Sequence, residues 1–169
     1  MTRSRFVLAL AVLLLASCGA DVDTTTSSEA GAPQPRPFNV AGTLLVKNGD
    51  GTSGDGCQGL KSLGHGDLSS GTPVTITDGS GTKLASGLLG PGTFVDVVTG
   101  AAAKDATVMC AFPFMVKGIR GGSADYAIGI ARRSGPAFSK RQADSLKLLV
   151  SGPGKVKMAP SRYRLGPNS

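Results

Sequence analysis

The sequence predicts an all-β domain, an antiparallel β-sandwich of about seven strands with one short helical turn, carried on a flexible N-terminal tether. Three observations point there. Beyond residue 38 the apolar side chains recur with period two, which places them on one face of a strand rather than on a helix stripe. The 169 residues include 25 glycines and 10 prolines, so turns and loops interrupt the chain often. Aromatic residues make up only 5%, with no Trp, and an all-helical core is excluded by the period.

The strands follow in order. Phe38, Val40, Leu44 and Val46 share one face, as do Val74 and Ile76, and then Leu84 and Leu88. Phe94 to Val98 is a further strand in which both parities are apolar. The longest alternation is Val108, Cys110, Phe112, Phe114 and Val116, followed by Tyr126, Ile128 and Ile130, and finally Leu146, Leu148 and Val150. Asp78-Gly79-Ser80-Gly81 separates two of these runs and suits a hairpin turn, because glycine tolerates positive φ. Pro113 removes a donor from its strand and predicts an edge or a bulge there. The helical turn is expected at Ser139-Lys140-Arg141-Gln142, where Ser and Gln are spaced as in a capping box.

The N-terminus reads as a targeting device. Arg3 and Arg5 precede an unbroken apolar run, Phe6 to Ala16, which is too short for a membrane-spanning helix of about 20 residues and right for a signal h-region. Leu15-Ala16-Ser17-Cys18 then resembles the lipobox of bacterial lipoproteins. The resemblance implies cleavage between Ser17 and Cys18 and a diacylglycerol on the Cys18 thiol, holding the protein at the outer, extracytoplasmic face of the cell membrane. The competing reading is an ordinary secretory signal cut after Ala16 or Ala20. Residues 19–37 hold no large apolar side chain except Val22, so they cannot offset the entropy of ordering and form a spacer reaching about 25 Å on average. The expected organisation is therefore a signal segment at 1–17, lipidated Cys18 and tether at 18–37, the β domain at 38–152 and a basic tail at 153–169.

Several segments carry a family likeness. Val40 to Gly42, Thr72 to Gly87 (TPVTITDGSGTKLASG), Cys110 to Val116 (CAFPFMV), Asp125 to Ile130 (DYAIGI) and the closing aliphatic strand resemble small exported actinobacterial proteins. The hairpin followed by the Tyr126 strand is also similar to the Ig-like, prealbumin-like sandwich of carboxypeptidase regulatory domains. That likeness implies a fold and transfers no catalytic residue. The long insertion from Gly49 to Gly71 departs from its pattern.

With Cys18 assigned to lipid, Cys57 and Cys110 remain as an even pair in an oxidising compartment, and a disulfide is expected between them. In the chain-entropy picture, closing a loop of about 54 residues stabilises the fold by about 4 kcal/mol. The Asn48–Gly71 segment combines eight glycines with Asp50, Asp55, Asp67 and His65, yet its spacing does not match a calcium loop and no Glu completes a ligand set. It is expected to be a solvated loop pinned by Cys57, with His65 exposed. No catalytic constellation, no metal set and no cofactor follow from the sequence, and carbohydrate stacking has only Tyr126 and Tyr163 to draw on. The alternative from another class is an envelope hydrolase using His65 and a neighbouring Asp.

Charge is distributed unevenly. Residues 18–116 carry five Lys/Arg against nine Asp/Glu, and residues 117–169 carry eleven against two. Lys155, Lys157, Arg162 and Arg164 lie in the Gly/Pro-rich C-terminal region, which reads as a basic tail attracted to anionic lipid or cell-wall polymer. Nucleic acid is excluded as a partner by export. The expected role is that of a membrane-anchored, non-catalytic binding or structural module.

Overall fold

The alternating segments form twelve strands in a computed structural model of the chain, which describes residues 35–47, 49–50, 56–98, 106–150, 152, 154–161 and 163–165. The signal segment, Cys18, the tether up to residue 34, Asp55 and Arg162 lie outside the described residues. The strands are β1 (Phe38–Lys47), β2 (Gly49–Asp50), β3 (Gln58–Gly59), β4 (Pro73–Asp78), β5 (Lys83–Leu89), β6 (Thr93–Val98), β7 (Ala106–Ile119), β8 (Tyr126–Ile130), β9 (Arg133–Phe138), β10 (Leu146–Val150), β11 (Lys157–Met158) and β12 (Arg164–Leu165). Two short 3-10 helices, Lys61–Leu63 and Lys140–Ser145, complete the described elements.

The all-β class holds, but the layering differs from two separate sheets of an Ig-like sandwich. Ten strands form one sheet in the order β11-β10-β1-β7-β5-β4-β8-β9, with β6 alongside β7 and β12 alongside β6; β2 and β3 pair apart. The sheet nearly closes. Ser134 on β9 bridges Lys155, and the Val156 amide donates to the Ser134 carbonyl at 3.0 Å just before β11 joins β10. Curling back this way leaves few unpaired strand edges. The pairing is also not wholly antiparallel, because β10 lies parallel to β1, Gly42 opposite Leu146 through Val46 opposite Val150. Gly42 has to be glycine at that contact: a Cβ there would run into the Leu146 carbonyl and the Phe114 ring.

Inside the curl, Val40, Leu44, Val46, Val74, Ile76, Cys110, Phe112, Val116, Tyr126, Ile128, Ile130 and Leu148 are buried as their alternation requires. Two positions depart from it. Leu88 is 60% exposed while Leu89 is buried, because the β4–β5 register slips between Ile76/Ala85 and Thr77/Lys83. That bulge adds one residue to β5 at Leu84 and reverses the parity of all that follows. Val108 is exposed; it lies opposite Asp96, past the last β1–β7 pair of Lys47 with Met109.

One end of the curl is stoppered by Phe38, Tyr126 and Phe138, with ring centroids 5.0 and 5.9 Å apart, and by Ala143 of the second 3-10 helix. That helix occupies the expected turn, and Gln142 Oε1 accepts from both the Ser139 amide and hydroxyl. The Asp78 hairpin is likewise as expected. Asp78 Oδ1 accepts from the Ser80 and Thr82 amides, and Gly81 has φ +87°. Pro113, however, is on a central strand. Thr43 of β1 faces it on one side, and its carbonyl accepts from Gly90 on the other, at the corner where β7 changes partner from β6 to β5. The missing N–H therefore faces the β5–β6 corner, where no ladder bond is needed.

The described residues 155–161 and 163–165 are not a free tail. Val156 is buried, β11 pairs with β10, and β12 pairs with β6. Between them the chain brings Tyr163 onto a second apolar cluster, Leu45, Val95, Val97, Met109 and Ala111, on the outer face of β1, β6 and β7. Both parities of Phe94–Val98 are apolar for that reason: Phe94 packs inward and Val95 and Val97 pack beneath the C-terminal segment.

Candidate functional site

The end of the curl opposite the aromatic stopper gathers the C-terminal ends of β1, β5, β8 and β10 and the N-terminal ends of β4, β7 and β9. Residues 56–72 cover it. The segment is ordered by its own bonds rather than solvated: Cys57 donates to the Gly92 carbonyl at 3.1 Å, Gly59 to Leu68 at 2.7 Å, and Leu68 to His65 at 2.9 Å. Leu68 is fully buried under it. The turn of 3-10 helix ends at Gly64, whose φ of +73° suits glycine, and the chain then folds back so that the His65 amide donates to the Leu60 carbonyl. Thr72, also buried, ties the far end by donating from Oγ1 to the Asp67 carbonyl at 2.8 Å.

Two cross-links fix this cover. The first is the expected disulfide: Cys57 and Cys110 are bonded with their Cα atoms 5.8 Å apart, and Gly92 lies so close to both that it has no room for a side chain. The second joins Asp67 to Arg133. Arg133 Nη1 donates to Asp67 Oδ2 at 2.6 Å, Nη2 donates to Oδ1 at 2.8 Å, and Nη2 also donates to the Gly64 carbonyl at 2.6 Å. The Arg133 side chain is 6% exposed and that of Asp67 is 43% exposed, so the pair bridges interior and solvent. The Arg133 hydrogen bonds hold the Asp67 carboxyl below its ordinary value, against a smaller opposing effect of burial.

His65 is buried beside this pair, in place of the exposed position its glycine neighbours lead one to expect. The His65–Leu68 backbone bond and the Gly59 contact leave it no outward path: a Cβ on Gly59 would strike the His65 carbonyl. Burial first, and the nearby Arg133 charge second, push the imidazole below its usual value, with Asp67 pulling the other way. Its Nδ1 has no hydrogen-bond partner, nor has Arg133 Nε. Gly64, Asp67, Arg132, Arg133 and Gly154 line an open depression of about 390 Å³ over the pair.

The structure thus brings His65, Asp67, Cys57 and Cys110 together at one end of the curl, and leaves Lys155, Lys157 and Arg164 exposed at separate places: bridged to β9, on β11 and on β12. The Arg133–Asp67 bridge is the feature that sequence reasoning missed. A signal for it exists. Arg133 follows Ile130 across a two-residue turn and pairs with it, so it shares the inward face of Tyr126, Ile128 and Ile130, and an inward arginine calls for a carboxylate. Ala131 in that turn has φ +53°, and its amide donates to the Pro73 carbonyl, fixing the hairpin against β4.

Chemically, the cluster is a tie. Both Asp67 oxygens are engaged by a guanidinium, and the described residues show no hydrogen bond between Asp67 and the His65 ring that would orient it as a base. Among the described residues no group of three or more His, Cys, Asp or Glu side chains is arranged to hold a metal ion. Among them, too, no helix is long and apolar enough to cross a membrane. No family model, no curated protein and no solved structure matches the chain significantly.

Proposed function

We propose that the chain is a bacterial envelope lipoprotein: residues 1–17 direct export, Cys18 carries a diacylglycerol, and the β domain acts at the outer face of the cell membrane as a non-catalytic binding or structural module. The observation that carries the non-catalytic part is that both Asp67 oxygens accept from Arg133 and that, among the described residues, no carboxylate is hydrogen-bonded to the buried His65 ring. The Cys57–Cys110 disulfide supports export, since such bonds persist in oxidising compartments. In this reading the likeness to small exported actinobacterial proteins concerns origin, and the Ig-like or prealbumin-like sandwich corresponds to two facing halves of the curled sheet. Lys155, Lys157, Arg162 and Arg164 contribute attraction to anionic lipid or cell-wall polymer.

Fractionation of cells producing the full chain tests this. The chain sediments with membranes, Cys18→Ala releases it, and His65→Ala changes nothing. Retention of the Cys18→Ala protein in detergent-extractable membranes would remove the anchor, and a substrate whose turnover His65→Ala abolishes would establish the hydrolase alternative instead.

A further inference from the structure

The outer face of the curled sheet carries an apolar row that the C-terminal segment does not cover. Pro73 of β4 lies opposite Leu88 of β5, Leu88 opposite Met115 of β7, and Met115 opposite Ala41 of β1. Leu88 is 60% exposed and Met115 52% exposed, and Pro73 and the adjacent Pro113 are exposed as well. Four apolar side chains in register across neighbouring strands make a contiguous patch, unlike scattered surface leucines.

The surroundings of the row say what covers it. Along β7 the next outward residue is Lys117, and the next row runs Pro113, Thr43, Lys147. Lys83 on β5, opposite Thr77, and Lys157 on β11, opposite Leu149, extend the same outward face on either side. All four lysines are exposed. No outward position of β1, β4, β5, β7 or β10 is Asp or Glu; they are Asn, Ala, Thr, Leu, Lys, Pro, Ser and Met. Apolar side chains flanked by lysines, with the one nearby carboxylate, Asp78, held at the hairpin tip beside Lys83 by the Ser80 and Thr82 amides, match the layered chemistry of an anionic bilayer: acyl chains and glycerol within, phosphates at the rim. An acidic protein would complement the same lysines, but only a bilayer places acyl chains against Leu88 and Met115 between its phosphates.

We propose that this face, centred on Leu88 and Met115 and rimmed by Lys83, Lys117, Lys147 and Lys157, seats the domain on an anionic lipid surface. It rests on the anchored reading above and adds an orientation to it: the Cys18 lipid holds the chain near the membrane, and the face lies down on the phosphates. The interaction is electrostatic and shallow, so it weakens with salt.

Because the chain contains no Trp, a single Leu88→Trp substitution in the full lipidated protein is a unique fluorescent reporter. The protein is reconstituted in vesicles of phosphatidylglycerol or of phosphatidylcholine, each containing brominated acyl chains, and floated. In phosphatidylglycerol the Leu88→Trp emission shifts to the blue and is quenched, and both effects are lost in phosphatidylcholine, in high salt and in Lys117→Glu/Lys147→Glu. A Leu63→Trp reporter on the loop cover stays unquenched throughout. Flotation with Leu88→Trp unquenched, or quenched equally in both lipids, overturns the docking face and leaves the anchor standing. Failure to float with phosphatidylglycerol vesicles overturns both.

Discussion

Replacing Asp67 with Asn keeps the shape of the side chain and removes its charge, leaving the Arg133 side chain, 6% exposed, without its carboxylate. Stranding one partner of a fully buried ion pair costs about 3–5 kcal/mol. Here the carboxylate is 43% exposed, so water reaches it and screens part of the attraction. The Gly64 carbonyl also remains as an acceptor for Nη2. The expected loss is therefore nearer that of charge-assisted hydrogen bonds, about 2 kcal/mol. Urea unfolding of wild type and Asp67→Asn at neutral pH reads it as a lower midpoint at constant slope. The acid behaviour has a definite sign. The Asp67 pKa in the folded protein lies below the ordinary 3.8, so its stabilisation is fully present above that value and disappears only as pH falls through the lower folded value. The gap between the two proteins should stay constant from neutral pH to about pH 5 and close in stronger acid. A double-mutant cycle with Arg133→Met should show coupling of more than about 1 kcal/mol. A loss below about 0.5 kcal/mol, or additive single effects, would refute the claim that the bridge fastens the cover.

Other outcomes follow from the same contacts. Reduction of the Cys57–Cys110 bond, or its replacement by Cys57→Ala/Cys110→Ala, should lower stability by about 4 kcal/mol, with two thiols titrating only after reduction. Since the His65 pKa is lowered from 6.5 in the fold, the unfolded chain takes up the proton first. Stability should therefore decline as pH drops below about 6.5, and His65→Leu should flatten that limb of the curve measured by thermal unfolding. Tyr163→Ala should cost about 1–2 kcal/mol and increase binding of a hydrophobic dye, because the ring, partly buried, shields Leu45, Val97 and Met109; an unchanged midpoint would mean that the C-terminal segment does not shield them.

Much of the fold is legible in the residues because period two is a local property. The strands around Cys110–Val116, Tyr126–Ile130 and Leu146–Val150, the Asp78 turn and the Ser139–Gln142 turn each depend on neighbours within a few positions. What sequence alone does not carry is long-range pairing. The parallel docking of β10 on β1 joins residues about a hundred positions apart, and the bulge that turns Leu88 outward depends on which residue of β4 faces β5. Gly and Pro after residue 151 suggest a tail, yet Val156 and Tyr163 find apolar partners there. At the candidate site the disulfide follows from cysteine parity, whereas the Arg133–Asp67 bridge spans 66 positions and burial of His65 follows from how residues 57–68 fold back on themselves, with Gly59 against its carbonyl. Glycines on both sides suggest exposure only when the loop around them is free.

What is attached to position 18 decides whether the domain is membrane-anchored. Intact-mass and peptide mass spectrometry of protein extracted from membranes of producing cells should find a mature chain starting at Cys18 and heavier by a diacylglyceryl group, with or without a further acyl chain on the amine. A chain that retains Met1, or one processed nearby with an unmodified Cys18 thiol, would contradict it.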